Sequence, residues 1–385
     1  MLFERRTNIE VSQINISNIS LRKVTIYKLV CIAFFITVTA LASVAFYEGN
    51  VERFNKPIID NQSIGVVFLR GDSLSKKVAF EYANQRNIPA EHIYEISMPL
   101  TNNVKSVIFN KQYERLNQNL PNSIQALVIT WSKPYRVECM SVTSAFSFGF
   151  DRKWCKPEPK NCHPTAISPY YNNPSRAPWN THNIRPTMML TGLDFNKIEK
   201  NIANGVLSDY TNPKNAAVAL VRTRDSARSK RYKLFEKAKQ KYKNSKKVDV
   251  QYIEGQLKKN VQHVTDQVLI GYQTGIRKVP FIASNTYLPG SFADHLTSFG
   301  GKGLIDDNQM RSIRWLEAGV TASYGTVVEP CNYIEKFPDP NVLLDYYLKG
   351  ETILEAYYKS VKMPGEGLFM GEPLARPFGN HDFHL

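Results

Sequence analysis

The stretch Ile64–Ile96, IGVVFLRGDSLSKKVAFEYANQRNIPAEHIYEI, decides the fold class. Ile64 to Leu69 is a short apolar run of the kind that forms a strand buried on both faces. From Ser73 to Asn87, Val78, Ala79, Tyr82 and Ala83 recur at helical spacing and build one apolar face. Ile88-Pro89 ends that helix, because proline disfavours helical backbone at the residue before it. His92 to Ile96 returns to strand. Strand, helix, strand at this spacing is the unit of a parallel sheet with right-handed crossovers.

The alternation extends outward from there. Val104 to Leu116 reads as a helix and Ile124 to Thr130 (IQALVIT) as a third buried strand. Glu138 to Arg185 is rich in Pro, Asn, Ser and Tyr, shows no lasting periodicity, and reads as a long insertion. Ala216 to Val221 resumes as a strand, followed by a basic helix and a short apolar segment from Val268 to Tyr272. Pro280 to Ser284 is expected to be another short strand. Gln309 to Ala318 carries Met310, Ile313 and Leu316 in helical register, with Gly319 placed for a left-handed cap. Val320 to Val328 is a strand, Asn341 to Lys349 a helix broken at Gly350, and Thr352-Ile353-Leu354-Glu355 a capping box that opens a last helix ending before Pro364. Leu368 to Met370 is a final strand. The expected architecture is α/β: a mostly parallel sheet of six or more strands with helices on both faces, over residues 64–385.

Before this body, Leu29 to Tyr47 (LVCIAFFITVTALASVAFY) holds no charged residue and is long enough to cross a bilayer as a helix. Arg22, Lys23 and Lys28 precede it, and Glu48 and Glu52 follow. The positive-inside rule makes 1–28 a cytoplasmic leader and 29–47 a single-pass inner-membrane anchor, with 48–63 as linker and the body in the periplasm. Ala40-Leu41-Ala42 and Ser43-Val44-Ala45 also fit a signal peptidase site, which would release the body into the periplasm. An exported body argues against a nucleic-acid partner and permits disulfides.

Cys31 lies in the apolar segment; Cys139, Cys155, Cys162 and Cys331 lie in the body. Cys155 and Cys162 bracket CKPEPKNC and are the expected local bridge, while Cys139 with either of them is equally allowed by counting. His163 adjoins Cys162, but no second Cys-x-x-Cys or paired-histidine spacing supports a metal site, and no cofactor motif is present. The net charge of +15 is uneven: from Arg222 to Lys247, twelve Lys and Arg face only Asp225 and Glu236. That segment is a solvated basic face or a contact for an anionic membrane surface or acidic polysaccharide.

Several stretches carry a family resemblance: SKKVAFEYANQRNIP (75–89), PGSFADHLTSFGG (289–301), RWLEAGVTASYGTVVEPCNYIEKFP (314–338) and YYLKGETILEAYYKSVKMPGEGLFMGEPLARPF (346–378). Together they resemble a bacterial exosortase-associated family defined by a sequence profile, exosortase being an envelope protein-sorting enzyme. The resemblance implies an envelope setting and no particular reaction. In architecture, GYQTG (271–275) is similar to the strand end where gingipain-like and caspase-like cysteine peptidases keep a His-Gly, and RWLEAGVTASYGTVVEP to the helix and strand after their catalytic cysteine. Gln273-Thr274-Gly275 holds no histidine, and Ala283 to Gly290, where the resemblance would put the nucleophile, holds no cysteine. A thiol nucleophile and the base that ionises it are both missing from those positions.

The remaining chemistry is scattered. Asp294-His295 follows a Pro-Gly turn and is the best acid–base candidate, with histidine as base and a carboxylate to orient it. Glu329-Pro330-Cys331-Asn332 brings a carboxylate, a thiol and an amide to one strand exit. Ser298 offers a hydroxyl beside Gly300-Gly301. Arg224, in Arg222-Thr223-Arg224-Asp225, leaves a strand where it could grip a carboxylate or phosphate, unless it pairs with Asp225. Arg376, between two prolines, is expected to pair with Glu329 or Glu372. Two functions follow: a catalytically silent, caspase-like binding or assembly domain that holds an envelope protein or polysaccharide, in exosortase-type sorting or exopolysaccharide handling, or an envelope hydrolase using Asp294 and His295.

Overall fold

The computed structural model describes Phe34, residues 37–39, and residues 59–155, 162–255 and 264–380. The expected leader, and all of the expected anchor except Phe34 and 37–39, lie outside these residues; those few are helical. No helix among the described residues is long and apolar enough to cross a membrane.

The body begins with β1 (Ile64–Leu69), α1 (Ser73–Arg86), β2 (Ile93–Ile96), β3 (Asn103–Val104), α2 (Ser106–Asn119) and β4 (Ala126–Ile129). It continues with β5 (Arg136–Val137), β6 (Met140–Ser141), α3 (Val142–Phe148), α4 (Pro178–His182), β7 (Thr187–Met189) and α5 (Phe195–Ser208). Next come β8 (Ala216–Arg222), α6 (Tyr232–Lys241), β9 (Val248–Glu254), β10 (Leu269–Gly275) and β11 (Tyr287–Leu296). The chain then forms α7 (Ile313–Glu317), β12 (Ala322–Thr326), α8 (Pro340–Tyr347), α9 (Ile353–Ser360) and β13 (Gly367–Gly371).

Ten strands form one sheet in the order β2-β1-β4-β7-β13-β12-β11-β10-β8-β9. Within β2-β1-β4-β7 every pairing is parallel, and so is every pairing within β9-β8-β10-β11-β12. β13 runs antiparallel to β12 and touches β7 through a single pair, Met370 with Met189. Beside that thin junction the hydroxyls of Ser141, Thr143 and Ser144 donate to the carbonyl of Gly367, so α3 takes part of the ladder's place. The mostly parallel α/β architecture therefore holds, with more strands than the six the pattern required.

Helices cover both faces. Val78, Ala79 and Tyr82 of α1, Ile198 and Ile202 of α5, Phe235 and Ala238 of α6, and nearly all of α8 and α9 pack into one large core. Phe109 and Leu116 of α2 and Val142, Ala145 and Phe146 of α3 fill the other face of the β1 half. Trp315 of α7 closes a smaller core against β8, β10 and β11. The capping box forms as expected, with Thr352 accepting from the Glu355 N–H and the Glu355 carboxylate accepting from the Thr352 N–H. Gly319 and Gly350 both stand at positive φ, 102° and 88°.

Four expectations need correction. Pro280 to Ser284 is not a strand: Phe281 turns into left-handed backbone and Ile282–Ser284 is a single 3-10 turn. The strand is β11, beginning further on. β9 and α5 were not anticipated. The supposed linker ends early, because Ile59 is already fully buried in the core. Finally, the start of the insertion, expected to lack regular structure, holds a buried helix: α3 is buried along its length up to Ser147, and Cys155 and Tyr170 are core residues.

Candidate functional site

The exits of β8, β10, β11 and β12 share one edge, since these strands are mutually parallel. In open α/β sheets ligands bind outside such carboxyl ends. All the candidate residues except Arg376 lie in the strands or exits of this set.

Asp294 and His295 are neighbours on β11, and a strand sends successive side chains to opposite faces. They do not meet. The Asp294 carboxylate forms an ion pair with Arg231 at 2.6 Å and accepts from the Gln273 amide at 2.7 Å. Arg231 also donates to the carbonyls of Thr274 and Pro338. Burial pushes the Asp294 carboxyl up from its ordinary value, while Arg231 and Gln273 pull it back. On the other face, the Trp315 indole N–H donates to His295 Nδ1 at 3.1 Å, which leaves Nε2–H to donate to the Met310 carbonyl at 3.2 Å. Burial lowers the imidazole to about 4. Both side chains have no exposed surface, and the lone pair a base would use is occupied by the indole.

The thiols are occupied too. The bridges are Cys139–Cys155 and Cys162–Cys331, so the expected Cys155–Cys162 pairing is corrected. Cys139 and Cys155 meet in the core beneath α3, whereas Cys162 reaches across to the exit of β12. Cys331 is therefore no free nucleophile. Its N–H donates to the Glu329 carboxylate at 3.0 Å, and both Cys331 and the exposed Asn332 adopt left-handed backbone at φ 57°.

At the exit of β11 stand Thr297 and Ser298. The stretch Ala283–Gly290 spans the 3-10 turn and the entrance of the strand, not its exit. The exit carries hydroxyls, and the Gln309 carboxamide oxygen accepts from the Thr297 hydroxyl and from the N–H groups of Ser298 and Phe299. Arg376 lies apart from this edge. Its guanidinium donates to the Ile59 carbonyl at 2.6 Å and its N–H to Asp209. The acid expected for it, Glu372, is instead held by Arg86 and Tyr82.

Arg224 is exposed and, unlike the exposed Asn332, lines a cleft. It lines two adjoining lobes of a cleft at the exits of β8, β9 and β10, of about 480 and 460 Å³, which share Thr223, Arg224 and Gly255. The first lobe adds Arg222, Ser226, Lys230, Tyr232 and Glu254. The second adds Val221, Tyr272, Ile276, Val279, Pro280 and Phe281, together with Asp225 and Thr274. The acid of each lobe is already paired: Glu254 of the first with Arg222, and Asp225 of the second with Arg228 at 3.0 Å. Arg224 and Lys230 are exposed and have no ion pair among the described residues. The turn that presents them is rigid. Thr223 donates its hydroxyl to the Gly275 carbonyl at 2.6 Å, and Arg228 packs so close that a Cβ on Gly275 would lie 2.0 Å from its carbonyl oxygen. This is why Gly275 is glycine. The motif that places Arg224 was legible; the lobes themselves, built by β9 and the Val279–Phe281 turn, were not.

The class that emerges is a ten-stranded α/β domain with a cationic, two-lobed cleft at a sheet edge. No family model matches the chain, and no curated protein matches it. Among solved structures, one described as "Structure of Protease" aligns with a TM-score of 0.48 at 9% identity, over 84% of this chain and 80% of that one.

Proposed function

We propose that this is a binding or assembly domain of the cell envelope that holds an anionic partner, protein or polysaccharide, in the cleft beside Arg224. One observation carries the reading: Asp225 and Glu254 are spent on Arg228 and Arg222, so Arg224 and Lys230 face the cleft with no ion-pair partner among the described residues. A guanidinium with free donors in a preformed cleft favours a carboxylate or phosphate. The envelope setting is supported by two disulfides, which persist in oxidising compartments, and by the uncharged run 29–47, which would hold the body at the inner membrane or direct its release into the periplasm. A role in exosortase-type sorting or exopolysaccharide handling suits such a domain. The hydrolase alternative would require Asp294 or His295 to reach a substrate, and both are closed off and hold other partners.

Binding of polygalacturonate to the body, measured by titration calorimetry, tests the reading. The pair R224A/K230A is expected to lose at least tenfold in affinity, and the wild-type affinity to fall with added salt. K243A/K246A removes the same charge outside the cleft and is expected to lose little. Equal losses in the two double variants would show that only net charge matters and would overturn the proposal.

A further inference from the structure

We propose that the cleft takes the carboxyl-terminal residue of a polypeptide whose last side chain is apolar. This deepens the anion-binding reading above and rests on it for the role of Arg224. The two lobes differ in chemistry. The first offers Arg224, Lys230 and the Ser226 hydroxyl beside the Arg222–Glu254 pair; the second is walled mostly by Val221, Tyr272, Ile276, Val279, Pro280 and Phe281, with Thr274 and the Arg228-paired Asp225 also lining it. They are not separate sites, because Thr223, Arg224 and Gly255 line both. A ligand filling them presents a carboxylate and an apolar group from nearly the same point.

An acidic polysaccharide supplies carboxylates but no side chain for the second lobe. An internal acidic residue fits poorly as well. In an extended chain neighbouring side chains point to opposite sides, so an acid and the apolar residue beside it diverge. The terminal residue differs: its carboxylate and its side chain leave the same α-carbon. Captured chain ends are a recurring mode of peptide recognition, and an apolar pocket with a few placed polar groups is the ordinary form of a ligand site. The second lobe is already assembled. Val221, Tyr272 and Val279 are nearly fully buried, whereas Phe281 is 45% exposed at the rim, held in left-handed backbone at φ 57°. A large aromatic side chain left in solvent at the rim is available to cover an incoming apolar group.

Three probes separate the possibilities: N-acetyl-Ala-Ala-Ala-Leu with a free carboxylate, the same peptide as its amide, and N-acetyl-Ala-Ala-Glu-Leu-amide, which moves the charge to a side chain. The free acid is expected to bind, the amide at least tenfold more weakly, and the glutamate peptide no better than the amide. Arg224→Ala is expected to remove the preference for the free acid. Phe281→Ala, at an exposed position outside the packed cores, is expected to weaken the free acid at least threefold. Equal binding of acid and amide, tighter binding of the glutamate peptide, or an unaffected F281A variant would each overturn the inference. Polygalacturonate binding that depends on Arg224, with no peptide binding, would sink this inference and leave the anion-binding reading standing; loss of both would sink both.

Discussion

At the scale of single residues, the chemistry of Asp294 and His295 was set by the strand they share. Their sequence adjacency suggested a working pair, but alternation along β11 sends one to Arg231 and the other to Trp315. Buried charge of this kind is costly to break, because the survivor stays desolvated and unpaired. D294A is expected to lower unfolding free energy by about 3–5 kcal/mol in urea denaturation. Replacing both partners with apolar residues, as D294L/R231M, is expected to recover much of that loss. A D294A variant as stable as the parent would mean that Asp294 is not the anchor of Arg231. Arg224 shows the opposite case: its motif was readable, but its freedom from Asp225 was not, since Arg228 had equal claim on that acid from three residues away.

Among elements, the α8–α9 pair concentrates ionisable groups. Lys359 of α9 is fully buried and donates to Glu351 at 2.6 Å, and Glu355 of the capping box lies nearby. Burial and the neighbouring Glu355 raise Glu351 to about 7, against the pull of Lys359. A carboxyl whose folded value stands above its unfolded one favours folding while protonated. Its contribution is full below about pH 4.5 and is lost as pH rises through about 7. E351Q is expected to flatten the decline in melting temperature between pH 5 and 7.5, a term of about 2 kcal/mol. An unchanged decline in that variant would place the titration elsewhere.

Elements also differ in how openly the sequence declared them. β1, α1 and the capping box of α9 rest on local patterns and were placed within a few residues. The edge strand β9 escaped because VDVQYIE buries only Val248 and Val250, too little for an apolar run. The exit of β11 was misjudged because a proline-flanked apolar stretch, Pro280–Ser284, resembled a strand, while Phe281 in fact breaks the extended backbone.

Across the whole molecule, the two disulfides do different work. Cys139–Cys155 closes a short segment inside the core, whereas Cys162–Cys331 spans 169 residues and ties the insertion to the exit of β12. Closing a long loop restricts the unfolded chain most. C162S/C331S is expected to fold with the same secondary structure and lose about 2–5 kcal/mol of stability. Iodoacetamide is expected to leave the four body cysteines unlabelled in the native, unreduced protein; labelling of Cys331 would contradict the bridge. The basic segment is likewise divided by the fold. Arg222, Arg228, Arg231, Lys239 and Lys241 are paired within the molecule, and Arg231 is buried.

The sequence by itself determined the α/β class, the parallel strand-helix-strand unit that opens the body and the presence of a cationic turn after β8, because hydrophobic periodicity and turn chemistry act between residues a few positions apart. Only the tertiary structure decided which cysteines bond, that Asp294 and His295 are sealed away, and that Arg224 opens onto a two-lobed cleft. Those outcomes depend on which distant groups come within bonding distance, and local patterning carries no record of that competition.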